Sequence, residues 1–252
     1  MKPPRVAWGE FPDVQIHAGE TTVKKHPFYQ AAKMGDADAA AKLVSETINN
    51  DQVDALRRLS EGRDPILTSV HAYEKGGVNA IPEAFADELA NRLGLRTDTN
   101  IVQTNAVEHT GADGYGRLSR QPVFDGEVVV GGEYLLVDDF VGMGGTLSNL
   151  RGYIESRGGK VIGAVSLTGK PYSAKLTLDK TQLDQLRAKH GTDLENWWKG
   201  KFGHSFDLLT QSEARYLARS KDADTIRDRI AAAEQAGDSG KTAQKGGVGG
   251  QA

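Results

Sequence analysis

The chain has no cysteine, which excludes disulfides and every metal site built on thiolates. It has no excess of positive charge either. Against 31 basic residues stand 34 acidic ones, for a formal net charge of -3. No global field therefore argues for nucleic acid or an anionic membrane as a partner. No apolar run approaches the roughly eighteen residues of a membrane span. The opening MKPPRVAWGEFPDVQIHAGE lacks the apolar stretch of a signal peptide, so the expected location is cytoplasmic. The six histidines are scattered, with no pair at helical metal spacing, and zinc catalysis is not expected.

What is present is ordinary for a soluble globular protein: 38% hydrophobic and 26% charged residues over 252 positions, enough for a full core. Residues 1 to 25, with Pro3, Pro4, Pro12 and Gly19, show no sustained period and read as an irregular arm. FYQAAKMGDADAAAKLVSETI is rich in helix formers, divided by Gly35 and Asp36, and Asp36 suits an N-cap. DQVDALRRL adds a short helix. From Pro65 the pattern changes to strands alternating with helices. PILTSVH, NIVQTN (100 to 105), two runs within VFDGEVVVGGEYLLV, and VIGAVSL read as strands. PEAFADELANRLG puts Phe85, Leu89 and Leu93 on one helical face, with Pro82 near its start and Gly94 at its end. Leu147, Leu150, Tyr153 and Ile154 mark another helix, closed by Gly158 and Gly159. EHTGADGYGRLSRQP reads as a long mobile loop. Such alternation predicts an α/β fold, a parallel sheet flanked by helices. Four regions follow: an arm and helical cap at 1–60, the core at 61–170, a helical hood at 171–235, and a glycine-rich, disordered tail at 236–252.

One stretch carries chemistry. YLLVDDFVGMGGTL, residues 134 to 147, runs from a buried strand into two aspartates, then Gly-x-Gly-Gly-Thr, then an amphipathic helix. Ligands of open parallel sheets bind beyond the carboxyl ends of the strands, where Asp138 and Asp139 stand. The amides of the turn at Gly142, Met143, Gly144, Gly145 and Thr146, with the helix dipole behind them, can close around an anion. One loop thus offers amide donors for a phosphate and carboxylates for hydroxyls. A sugar phosphate has both groups. The competing reading is a tight strand-to-helix turn with solvated aspartates, and the order of features makes it the weaker of the two.

This stretch resembles the phosphoribosyl-pyrophosphate signature of the type I phosphoribosyltransferases, and the resemblance spreads over roughly residues 62 to 170. SVHAYEKGGVNAIPEAFADELANRLG looks like the family's first strand, pyrophosphate loop and following helix; EHTGADGYGRLSRQP sits where the family keeps a flexible catalytic loop. The resemblance implies that Asp138 and Asp139 hold the ribose hydroxyls, directly or through Mg2+. It implies that residues 142 to 146 bind the 5-phosphate and that Tyr73, Lys75, Gly76 and Gly77 meet the pyrophosphate. Arg117 and Arg120 would reach the pyrophosphate when the loop closes. The implied partners are phosphoribosyl pyrophosphate and a small-molecule base, and, since family members often pair, a homodimer.

The sequence departs from the family at the turn. Gly142 and Met143 stand where hydroxyl-bearing or small residues are common, leaving Thr146 as the side-chain donor. Some purine-salvage members place an aspartate general base where Gly142 lies. Glu108, His109 and Asp113 are weak substitutes. Tyr172 and the Trp197-Trp198 pair are aromatic candidates over the site, with packing the better reading of each. Gly240-Lys241-Thr242 imitates the end of a P-loop, but Gln235 replaces the leading glycine. Gly203-His204-Ser205-Phe206-Asp207 imitates a nucleophile elbow whose last glycine is missing. The leading expectation is phosphoribosyl transfer to a nitrogenous base. The alternatives are a non-catalytic sensor of phosphoribosyl pyrophosphate or a nucleotide, and an interaction protein whose helical arms bind a macromolecule.

Overall fold

The structure, a computed structural model, describes residues 2–70, 73–74, 77–105 and 113–245, with residues 73, 74, 77 and 237–245 described by backbone alone. Five strands form one parallel sheet: β1 (Gln15–Gly19), β2 (Ile66–Ser69), β3 (Arg96–Asp98), β4 (Glu133–Val141) and β5 (Lys160–Gly169). Their spatial order is β1-β5-β4-β2-β3. β4 lies at the centre, with Leu136 paired to Thr68 on one side and Ala164 on the other.

The apolar run of β4 is buried on both faces, as a central parallel strand must be. Alternate residues serve opposite layers. Leu135 and Val137 pack with Leu43 of α3 (Ala37–Thr47), Leu56 of α4 (Asn50–Leu59) and Phe85 and Leu89 of α5 (Ile81–Leu93). Tyr134 and Leu136 pack with Leu147, Leu150 and Ile154 of α7 (Gly145–Glu155) and with Trp8. A third cluster gathers α6 (Gly114–Ser119), α8 (Lys180–Phe202), α9 (Gln211–Ala218) and α10 (Ala223–Lys245) around the fully buried Trp198. Gly191, at φ 74°, breaks α8 into two segments. Two short helices, α1 (Glu20–Lys24) and α2 (Tyr29–Lys33), complete the set.

Several expectations are met for the reasons given. Asp36 caps α3 through its side chain, which accepts from the Ala39 amide at 2.9 Å. Gly94 ends α5 in the left-handed region at φ 69°. Others need correction. The irregular arm contains β1, whose short QIHAG has no period of its own and gains a ladder only from β5. The sheet strand expected at 100–105 is instead Arg96–Asp98; Val102–Gln103 forms a separate antiparallel pair with Phe124–Asp125. Val128 to Val130 is not a strand, and Val130 is 80% exposed. The loop expected to be mobile contains α6, because Asp113 caps it and Tyr115 and Leu118 are buried against the C-terminal helices. The backbone of α10 continues to Lys245, into the stretch expected to be disordered.

Candidate functional site

The site is built where β4 ends. Asp138 and Asp139 are its sixth and seventh residues, at the carboxyl edge of the sheet. Asp138 is buried, and its Oδ1 accepts from the Asp139 amide at 2.8 Å. Burial first, and the neighbouring Asp139 charge second, hold the Asp138 carboxyl well above the usual carboxylate range. Asp139 Oδ2 accepts from Lys33 Nζ at 3.2 Å and from Asn79 Nδ2 at 2.9 Å. Asn79 in turn accepts from the Ile81 amide at the start of α5, so it is fixed at both ends. Neither Lys33 nor Asn79 was legible as a site residue. Both lie far from the motif in the chain, and only the packing of α2 and α5 onto the sheet brings them to Asp139.

The glycine turn follows at once. Gly144 has φ 79° and stands at the N-cap of α7, where it has no side chain of its own to accept from the first-turn amides. Side chains of other elements approach each of these glycines closely. A Cβ on Gly142 would lie 2.7 Å from Arg117 Nη1 and 3.1 Å from the Phe140 ring. One on Gly144 would overlap Leu176, and one on Gly145 would lie 2.7 Å from Glu213 Oε1. The turn is thus enclosed by the C-terminal region. Thr210 donates from its hydroxyl to the Met143 carbonyl at 2.6 Å. Met143, placed in the turn by the motif, packs its side chain against the helical cluster around Trp198.

Beneath the turn lies a buried ion pair. Arg5 donates to Glu213 Oε2 at 2.6 Å from Nη1 and to Oε1 at 2.8 Å from Nη2. The same guanidinium donates to Asn149 Oδ1 on α7 at 2.8 Å and to the Leu208 carbonyl at 3.2 Å. Burial opposes the Glu213 charge, but the Arg5 guanidinium and the Thr210 amide outweigh it and hold the carboxyl below its ordinary range. Nothing in the order of residues marks this pair, whose members are 208 residues apart.

The two loop arginines part company. Arg117, on α6, brings its guanidinium to Gly142. Burial lowers its basicity and the charge of Glu20 partly restores it. Arg120 turns back and donates from Nε to the Gly116 carbonyl at 3.1 Å. Asp113 is engaged as the α6 cap, accepting from the Gly116 amide at 2.8 Å. Lys75, Gly76, Glu108 and His109 lie outside the described residues, and for Tyr73 and Gly77 only the backbone is described, as a two-residue hairpin with Glu74 and Val78. Tyr172 is 59% exposed beneath the Arg215 guanidinium, 4.8 Å from its ring centre. Trp198 is core.

Comparison with known proteins bears on part of the chain. No family model matches the chain. Over 111 residues it is 31% identical to the adenine phosphoribosyltransferase of Treponema pallidum, covering 44% of this chain and 57% of that protein. The chain resembles the type I phosphoribosyltransferases. A hypoxanthine phosphoribosyltransferase structure from Staphylococcus aureus matches 51% of this chain and 65% of that one, at 19% identity and a TM-score of 0.35. Over 229 residues the chain is 44% identical to Protein TraN of Escherichia coli, covering 91% of this chain and 51% of TraN. The chain thus spans about half the length of the curated relatives it matches. Among the described residues, no helix is long and apolar enough to cross a membrane.

Proposed function

We propose that the chain binds phosphoribosyl pyrophosphate at the end of β4 and transfers its phosphoribosyl group to a nitrogenous base. The observation that carries this reading is the succession of Asp138, Asp139 and a glycine turn leading into the uncapped N-terminus of α7. The carboxylates suit the ribose hydroxyls, and the amides of residues 142 to 146 with the Thr146 hydroxyl suit the 5-phosphate. Tyr73, Lys75, Gly76 and Gly77 are assigned to the diphosphate, with Arg117 and Arg120 adding positive charge as the reaction proceeds. In the transfer, a ring nitrogen bonds to C1 of the ribose while the C1–O bond breaks, and the diphosphate leaves with the electron pair. Cationic side chains that meet the departing charge lower the barrier without covalent help.

The donor set suits Mg2+. Asp139 Oδ2 accepts from Lys33 and Asn79, Asp138 Oδ1 accepts from the Asp139 amide, and the two carboxyl side chains also interact directly. Two hard oxygens fit an ion that keeps its waters and takes further ligands from substrate phosphates. Among the described residues no group of three or more potential ligands assembles, so the remaining ligands would be substrate and water. Bound there, the ion would neutralise charge on the diphosphate and relieve the crowding of the two carboxylates.

Pyrophosphate release across a panel of bases tests the reading, with calorimetry of phosphoribosyl pyrophosphate on wild type and Asp139→Asn. Uptake by wild type, its loss in the variant, and release with at least one base are expected. Undiminished uptake by Asp139→Asn sinks the site assignment. A second reading, a sensor of the same ligand, is favoured by one observation: Gly142 has no carboxylate and Arg117 stands beside it. Binding without release on any base would establish that reading instead.

A further inference from the structure

We propose that Thr210, at the start of α9, is a positioning residue that aims the Gly144 amide at the 5-phosphate of the substrate. This rests on the reading that places that phosphate at residues 142 to 146, and adds what holds those residues in shape.

Three glycines in five residues give the turn much conformational freedom to lose on binding, and its side chains offer one hydroxyl, that of Thr146. Support comes from outside the motif. Thr210 is fully buried, and its hydroxyl lies 2.6 Å from the Met143 carbonyl and 3.0 Å from the Glu213 amide. A carbonyl can only accept, and an amide N–H can only donate. The hydroxyl proton therefore points at Met143, and the oxygen takes the amide. Thr210 is itself held, because its own amide donates to Glu213 Oε2 at 2.9 Å. Arg5 pairs with that carboxylate. The C-terminal region thus reaches the turn with one directed donor and with its nearest charge already neutralised.

The direction of that bond decides where the next amide points. In a trans peptide the C=O and the following N–H point opposite ways. With the Met143 carbonyl drawn to Thr210, the Gly144 N–H faces the other side of the turn. The Gly144 carbonyl accepts from the Ser148 amide at 2.9 Å, the first bond of α7. The peptides on both sides of Gly144 are therefore fixed about its left-handed φ of 79°. A left-handed residue leading into a helix makes successive amides converge, and such a nest takes an anion. Leu176 and the Thr210 methyl fill the space that a Cβ on Gly144 would enter, so this peptide has packing as well as a hydrogen bond to hold it. The 5-phosphate is remote from the C1–O bond that breaks. An amide that grips it does so equally before and during transfer, which lowers KM and leaves kcat unchanged.

The test compares wild type, Thr210→Val and Thr210→Ser by calorimetry with phosphoribosyl pyrophosphate and with ribose 5-phosphate, and by release kinetics on a base that wild type uses. Urea unfolding checks that each variant is folded, and NMR follows the Gly144 amide of wild type as ribose 5-phosphate is added. Thr210→Val keeps the shape and removes the donor. It should weaken both ligands and raise the KM for phosphoribosyl pyrophosphate by roughly tenfold, with kcat within about twofold. Thr210→Ser keeps the hydroxyl and should stay within about threefold of wild type. The Gly144 proton should move downfield with ribose 5-phosphate, because it meets an anionic oxygen. Undiminished binding by Thr210→Val, equal losses in both variants, or a fall in kcat at unchanged KM overturns the inference and leaves transfer standing. So does a Gly144 resonance that stays in place while the ligand binds. If Thr210→Val does not fold, that resonance and Thr210→Ser decide. Binding without release on any base overturns transfer alone. Uptake of neither ligand by wild type overturns the site assignment and this inference together.

Discussion

Replacing Glu213 with glutamine should show how far a buried charge pair supports the glycine turn. The side chains of Arg5 and Glu213 are 0% and 2% exposed, so the variant leaves a guanidinium in the interior without its counter-charge. Breaking such a pair costs about 3–5 kcal/mol. Asn149 and the Leu208 carbonyl still accept from Arg5, and the amide keeps the shape of the carboxylate, so the lower end, about 3 kcal/mol, is expected. For a chain of this size each kcal/mol shifts Tm by roughly 2–4 °C, giving a fall of about 6–12 °C. Because folding lowers the Glu213 pKa, the stability it adds is fully present above the unfolded value and is lost as pH falls through the folded one. The gap between wild type and variant should therefore be full at neutral pH and narrow on the acid side of about pH 4.3. Urea unfolding at a series of pH values reads both. A loss under about 1 kcal/mol at neutral pH would refute the reasoning, as would a gap that does not change with acid. An Arg5→Met, Glu213→Leu double variant should lose less than the sum of its singles.

Further outcomes follow from the same geometry. Folding raises the Asp138 pKa, so its carboxyl opposes the native state once pH rises through the folded value; Asp138→Asn should gain about 1 kcal/mol at neutral pH and almost nothing near pH 3, while losing sugar-phosphate binding in calorimetry. A Cβ on Gly152 would overlap the Pro4 carbonyl oxygen. Gly152→Ala should then cost about 1–3 kcal/mol in urea unfolding and speed tryptic cleavage after Arg5. Asn79→Ala removes a hydrogen bond to Asp139 and one from the Ile81 amide; it should raise the KM for phosphoribosyl pyrophosphate by roughly tenfold, with thermal stability changed by no more than about 1–2 kcal/mol.

The central strand, α5 and α7 were legible because each has a strong local signal: a buried apolar run, a single helical face, a proline near the start or a glycine at the end. β1 was not, because QIHAG becomes a strand only through backbone partners on β5. α6 was missed because three glycines in its neighbourhood read as mobility, whereas burial of Tyr115 and Leu118 decides its structure. The acidic pair and the turn could be named from fourteen consecutive letters. Lys33, Asn79, Arg5, Glu213 and Thr210 could not, since contacts across the chain leave no period or spacing to read.

The segment from Lys2 to Trp8 has a consequence for how the protein reaches its native state. Lys2 bonds the Gly200 carbonyl, and Trp8 donates to the Leu209 carbonyl at 2.8 Å. The part of this sequence made first on a ribosome thus finds its seat only after residues about two hundred positions later have emerged. Contacts of such sequence separation form slowly. The opening segment should dock last, and the glycine turn should gain its final rigidity only when synthesis is well past the sheet.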